Sequence, residues 1–134
     1  MRLIVLLAVL VIAACATAGP RALAETSWTL VEIQGQALPA LETPLTLRFE
    51  AADFRVAGYG GCNQFGGRYT VDGEGLSFGQ LISTKRACLD EAANEREAQF
   101  LGLLGAVSRY TRSGDDLRLF AGDREVLRFR RTAP

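Results

Sequence analysis

The sequence predicts a mainly β (α+β) fold: a small antiparallel β-barrel-like meander with one helix packed across it. Three observations carry this. Short runs of alternating apolar and polar residues recur at even spacing through residues 28–84 and again through 108–130, divided by turn residues. Residues 90–104 instead show few β-branched side chains and an apolar period near 3.6. Between the early strands lies Gly58-Tyr59-Gly60-Gly61-Cys62-Asn63-Gln64-Phe65-Gly66-Gly67-Arg68-Tyr69, a glycine-dense turn carrying one cysteine. The other elements are arranged around it.

In chain order, Ser27-Trp28-Thr29-Leu30-Val31-Glu32-Ile33 sets Trp28, Leu30 and Glu32 on one face, with Val31 and Ile33 on the other. Gly35 and Pro39 break the run. Leu45, Leu47 and Phe49 then point inward from a strand that turns at Ala51-Ala52-Asp53 and returns as Phe54-Arg55-Val56-Ala57-Gly58. Past the glycine turn, Arg68-Tyr69-Thr70-Val71 is a strand that ends in Asp72-Gly73, a hairpin signal because its turn needs positive φ. Leu76-Ser77-Phe78 and Leu81-Ile82-Ser83-Thr84 follow.

The helix has Asp90, Glu91 and Glu95 near its positive end, and Phe100, Leu103, Leu104 and Val107 at i, i+3, i+4 and i+7. Asp90 or Asn94 caps it, and Gly105 suits its end. Three closing strands, at residues 108–112, 116–120 and 125–130, are separated by Gly114-Asp115 and Gly122-Asp123. Trp28, Leu47, Phe49, Phe78, Leu119, Phe120 and Phe129 are the side chains expected to fill the interior.

The chain of 134 residues suits one domain with a real core. Fifteen Lys and Arg balance fifteen Asp and Glu, so no whole-chain basic bias points to nucleic acid. Histidine is absent, which removes the commonest general base and metal ligand. At the N-terminus, Met1-Arg2 precedes an apolar run from Leu3 to Ile12, about half the ~20 residues a spanning helix needs. Residues 1–14 therefore read as a signal peptide. Ile12-Ala13-Ala14-Cys15 resembles the lipobox of bacterial lipoproteins, in which the cysteine is lipidated and becomes the first mature residue. Ordinary cleavage at Ala16-Thr17-Ala18 or Ala22-Leu23-Ala24 is the competing reading, and gives a soluble secreted or periplasmic protein. Several acyl chains would hold the protein on a bilayer. Ala16 is not the aspartate that resembles an inner-membrane retention signal, so the outer membrane, facing the periplasm, is the expected address. Residues 15–26, small and polar with Gly19-Pro20, read as the lipidated cysteine and its tether, leaving the domain at 27–134.

Trp28 with Leu30, Gly60-Gly61-Cys62-Asn63, Phe65-Gly66-Gly67-Arg68-Tyr69, Thr84 with Ala87-Cys88, and the helix from Glu95 through Phe100 to Leu104 together resemble the META domain. That family includes heat-inducible HslJ-type envelope proteins. The resemblance covers residues 26–132. It implies a barrel-like antiparallel fold with one helix, an envelope location, and an association with stress or antibiotic tolerance rather than a defined reaction.

Two cysteines remain in the domain. In an oxidising compartment Cys62 and Cys88 are expected to form a disulfide, stabilising the domain by about 3–4 kcal/mol on the chain-entropy model. Two buried free thiols are the alternative, and no CxxC spacing supports a redox-active pair. The glycine run fails as a phosphate loop: Asn63 stands where a dinucleotide fingerprint needs glycine, and Gly67-Arg68 replaces the lysine and hydroxyl of a Walker motif. Positive φ or close approach accounts for the glycines better. Asn63 is expected to bond local backbone.

Ser83 and Thr84 have no histidine partner, and Asp90, Glu91, Glu95 and Glu97 read as a solvated acidic helix face. No catalytic, metal or cofactor constellation emerges. Arg128 and Arg130 share a face of the last strand, read as solvated, with anionic headgroups as a lesser alternative. The sequence thus points to a non-enzymatic envelope lipoprotein that binds or supports an envelope protein, with Gly60, Gly61, Asn63, Gly66, Gly67 and Thr84 as the candidate interaction surface. A carrier of a small apolar ligand, or an inhibitor of an envelope hydrolase acting through the 60–67 turn, are the rivals.

Overall fold

The computed structural model describes residues 22–132, which form ten strands and one helix. In chain order these are β1 (Thr26–Ile33), β2 (Gln36–Ala37), β3 (Thr46–Phe49), β4 (Arg55–Tyr59), β5 (Gln64–Asp72), β6 (Gly75–Phe78) and β7 (Ile82–Ser83), then α1 (Glu91–Ala106). β8 (Arg109–Ser113), β9 (Asp116–Ala121) and β10 (Arg124–Arg131) complete the chain. Eight strands run in the order β10-β9-β8-β6-β5-β4-β3-β1, each antiparallel to the next. β1 then pairs with β10, Trp28 against Arg131 and Ile33 against Leu127, so the barrel closes. Closure pairs the edges that an open sheet would expose. β2 and β7 are short pairings on β1 and β5.

Alternation of strand direction sorts the connections between the two barrel ends. The chain enters β1 and leaves β10 at one end, with the β3–β4, β5–β6 and β8–β9 turns. The opposite end carries the β1–β2 hairpin, the loop of residues 60–63, the β9–β10 turn and α1. We call these the terminus end and the helix end. Gly73, Gly114 and Gly122, with φ of 57°, 58° and 60°, each occupy the first position of a two-residue hairpin loop. That is the demand of a II′ turn, which fits the right-handed twist of the strands it joins.

Trp28, Leu47, Phe49, Leu117, Leu119 and Phe129 are fully buried and fill the barrel. Phe100 of α1 lies 5.7 Å from the Phe65 ring on β5 and 6.2 Å from the Phe129 ring on β10, centroid to centroid. β5 and β10 stand four steps apart either way round the eight-stranded barrel. A side chain touching both sits across the axis, so the helix stoppers this mouth with Phe100 and Leu104.

Several expectations are corrected. A bulge between Leu30 and Glu32 shifts the phase of β1, so Ile33 is buried rather than sharing an outward face with Val31. Phe120 is only half-buried, because it faces outward, where the Arg109 guanidinium lies 4.0 Å from its ring centroid. Arg128 is not simply solvated; it bridges Asp116 at 2.8 Å and Glu32 at 3.1 Å. The end of the expected tether belongs to the fold. Leu23 is fully buried, Thr26 opens β1, and the Ala22 carbonyl accepts from the Arg112 guanidinium. The signal peptide, Cys15 and the tether up to residue 21 lie outside the described residues.

Candidate functional site

The glycine-dense stretch is mostly strand. Gly66 and Gly67 lie within β5, where they pair with Ala57 and Val56, and a Cβ on Gly67 would sit 2.9 Å from the Gln80 carbonyl oxygen. Close approach, not a turn, is the reason for Gly67. The true turn is Gly60-Gly61-Cys62-Asn63, closed by a 2.8 Å bond from the Gly60 N–H to the Asn63 carbonyl. Gly61 has φ of 108°, which a side chain would strain.

This turn aims two successive N–H groups at α1. Cys62 N and Asn63 N donate to one carboxylate oxygen of Glu97, at 2.8 and 2.6 Å. The other Glu97 oxygen accepts from Asn63 Nδ2 at 2.6 Å. Gly60 makes room for this, since a Cβ there would lie 2.7 Å from Glu97 Oε2. Glu97 and Asn63 are both buried, so Glu97 is not part of the solvated acidic face. Asp90, Glu91 and Glu95 are exposed.

Asn63 bonds distant rather than local partners. Its Nδ2 also donates to the Arg86 carbonyl at 2.7 Å, while its Oδ1 accepts from Arg86 N at 2.7 Å and from the Thr84 hydroxyl at 2.9 Å. The side-chain amide thus pairs with Arg86 much as a neighbouring strand would. Asn94 repeats the arrangement on the next residues: its Oδ1 accepts from Cys88 N at 2.8 Å and its Nδ2 donates to the Cys88 carbonyl at 2.9 Å. The cap of α1 is therefore Asp90, whose carboxylate accepts from Ala92 N at 3.0 Å. The Cys62–Cys88 disulfide, Cα atoms 5.5 Å apart, ties the turn to the same segment.

The predicted residues Gly60, Gly61, Cys62, Asn63, Thr84 and Cys88 are thus assembled at the helix end, while Gly66 and Gly67 are not. Glu97 and Asn94 complete the cluster and were missed. The signal was available, because Glu97 precedes Phe100 by three residues and Leu104 by seven, on the apolar face. Chemically the cluster is a clasp: Asn63 uses both amide hydrogens and both oxygen lone pairs. Among the described residues no buried side-chain nitrogen or oxygen lacks a partner. Beside the clasp, Lys85, Arg86 and Leu89 are exposed.

A profile of the META domain matches residues 21–134. The chain belongs to the META domain family. No curated protein matches it. The META domain here is similar to an NMR structure of a protein from Burkholderia xenovorans, 26% identical, covering 84% of this chain and 85% of that one, with a TM-score of 0.68. A second NMR structure, 18% identical over 79% of this chain and 88% of its own, has the same fold with a TM-score of 0.64.

Proposed function

We propose that this META domain chain is a non-enzymatic, lipid-anchored protein of the bacterial cell envelope, linked to envelope stress or antibiotic tolerance, whose helix end binds or supports another envelope component. The observation that carries the non-enzymatic reading is the saturation of the Glu97–Asn63 clasp. Its polar atoms are spent on holding the 60–63 turn and the 84–88 segment to the helix. Cys62 and Asn63 are each 6% exposed, so the turn is held down rather than projected, which weighs against an inhibitory loop at 60–67. The adjacent exposed segment, with Lys85, Arg86 and Leu89, is the surface left to meet a partner. A carrier would have to displace Trp28, Phe49, Phe100 and Phe129 from the interior.

The lipobox at Cys15 and the Cys62–Cys88 disulfide support an oxidising envelope compartment. Cleavage after Ala24 would remove Leu23, which is fully buried in the fold, and that favours an earlier mature start. The test is the intact mass of protein purified from membranes, before and after reduction and alkylation. An acylated chain starting at Cys15, with Cys62 and Cys88 alkylated only after reduction, is the expected result. An unacylated chain starting after Ala18 would replace the anchored protein with a diffusible one.

A further inference from the structure

Resting on that lipid-anchor reading, we propose that the β3–β4 side of the terminus end of the barrel docks on the surface of an anionic lipid bilayer. Phe54 enters the interface, and Arg48, Arg55, Arg68 and Arg130 face the headgroups. Three independent observations converge here.

The first is Phe54 itself. It sits in the β3–β4 turn with 52% of its surface exposed, and both it and Asp53 are held at positive φ, 48° and 62°. A bulky aromatic is uncommon in that backbone region. Its ring packs edge-on against Tyr69, at 5.6 Å between centroids, and the rest of the ring stands outside the core. An aromatic ring half in apolar contact and half free suits a membrane–water interface.

The second is charge. Arg55 and Arg68 are directly opposed across β4 and β5, and both are exposed. Like charges so placed destabilise a sheet. Around the same wall Arg48 pairs with Ser27 and Ala57, and Arg130 with Thr29, so these side chains share the outer face. The acids beside them are Glu50, which bridges Arg48 at 2.8 Å, Asp53, and Glu25, which lies across from Glu50 just ahead of the Thr26–Phe49 pair. Four arginines against three carboxylates leave this wall cationic, while Asp72, Glu74 and Asp115 make the β5–β6 and β8–β9 turns of the same end acidic and keep those turns off the bilayer. Each such arginine near an anionic surface strengthens association about fivefold.

The third is reach. The β3–β4 turn lies at the terminus end, where Thr26 of β1 pairs with Phe49 of β3. Cys15 precedes Ala22 by seven residues, a span of at most about 25 Å when fully extended. Because Ala22 is fastened to Arg112, the tether starts from a fixed point on this end and faces it to the bilayer. The clasp and Leu89 then point away from the membrane, towards a partner.

The experiment places a tryptophan at each end of the membrane-purified protein and reconstitutes it on vesicles whose acyl chains are brominated. Phe54→Trp is compared with Leu89→Trp, the buried Trp28 serving as a constant background. In vesicles containing phosphatidylglycerol, Phe54→Trp emission is expected to be quenched and Leu89→Trp emission not. Phosphatidylcholine alone, high salt, or the double variant Arg55→Gln/Arg68→Gln should cut the Phe54→Trp quenching several-fold. Quenching at position 54 no greater than at position 89 overturns the proposal, and a protein partner on this end would give that outcome. Intact mass of the same sample reports acylation separately. Loss of the anchor with quenching retained would fell the anchor reading and leave the docking surface standing.

Discussion

A carboxylate that accepts from two consecutive backbone N–H groups and one side-chain amide leaves three donors orphaned when it is removed. That is the position of Glu97, whose partners Cys62 N, Asn63 N and Asn63 Nδ2 are buried with it. Glu97→Ala is expected to destabilise the domain by about 3 kcal/mol, since each buried unsatisfied group costs roughly 1–3 kcal/mol and water can re-enter part of the gap. Urea unfolding should show a lower midpoint at unchanged slope. Glu95→Ala, on the exposed face one half-turn away, should stay within about 0.5 kcal/mol of the parent. Equal effects from the two would mean that the clasp adds nothing. The sequence marked Asn63 as a structural position, but its partners lie 21 to 34 residues away and only the fold brings them near. Glu97 was legible by helical phase, and grouping it with its acidic neighbours hid that.

Among the elements, the glycines separate into those that a contact requires and those that nothing requires. A Cβ on Gly58 would lie 2.2 Å from the Thr46 carbonyl oxygen and 2.5 Å from Phe65 Cζ, with Phe65 its cross-strand partner. Gly58→Ala must push a backbone strand aside, and a loss of about 1–3 kcal/mol is expected from such overpacking. Gly102, inside α1, has nothing within 4 Å of the position its Cβ would take. Gly102→Ala is expected to stabilise by about 0.4–1 kcal/mol through lower backbone entropy in the unfolded chain. Thermal melts of the two variants should shift in opposite directions; a Gly102→Ala that melts lower would point to a contact the structure does not contain. Helix length was legible to within a turn. Gly105 was expected to end it, yet α1 runs to Ala106, because buried Val107 supplies the cap, its N–H bonding the Leu104 carbonyl at 3.2 Å. Packing of Val107 overrides the glycine signal there.

At the scale of the molecule, strand count and even spacing announced a meander, but the pairing of first strand with last had no local signal. It joins residues about a hundred positions apart, such as Thr29 and Arg130. Across this seam runs a ladder of charges: Glu32 on β1, Arg128 on β10, Asp116 and Arg118 on β9, and Glu125 back on β10. Asp116 is its hub. Partial burial pushes the Asp116 carboxyl up, but hydrogen bonds and charge from Arg128 and Arg118 outweigh burial and hold it below its ordinary 3.8. A carboxyl depressed in the folded state contributes stability that is full above its unfolded value and is lost as pH falls through the folded one. The seam should therefore be indifferent to pH between about 5 and 8 and weaken below about 4. Asp116→Asn removes that contribution at neutral pH and should flatten the acid limb of a plot of urea midpoint against pH. The change should be smaller than for Glu97→Ala, because solvent reaches the ladder and screens it. Glu50→Gln, which cuts the exposed bridge to Arg48 away from the seam, should leave the acid limb in place. An acid limb that survives Asp116→Asn unchanged would transfer the acid sensitivity to other carboxylates and leave barrel closure to backbone pairing and apolar burial alone.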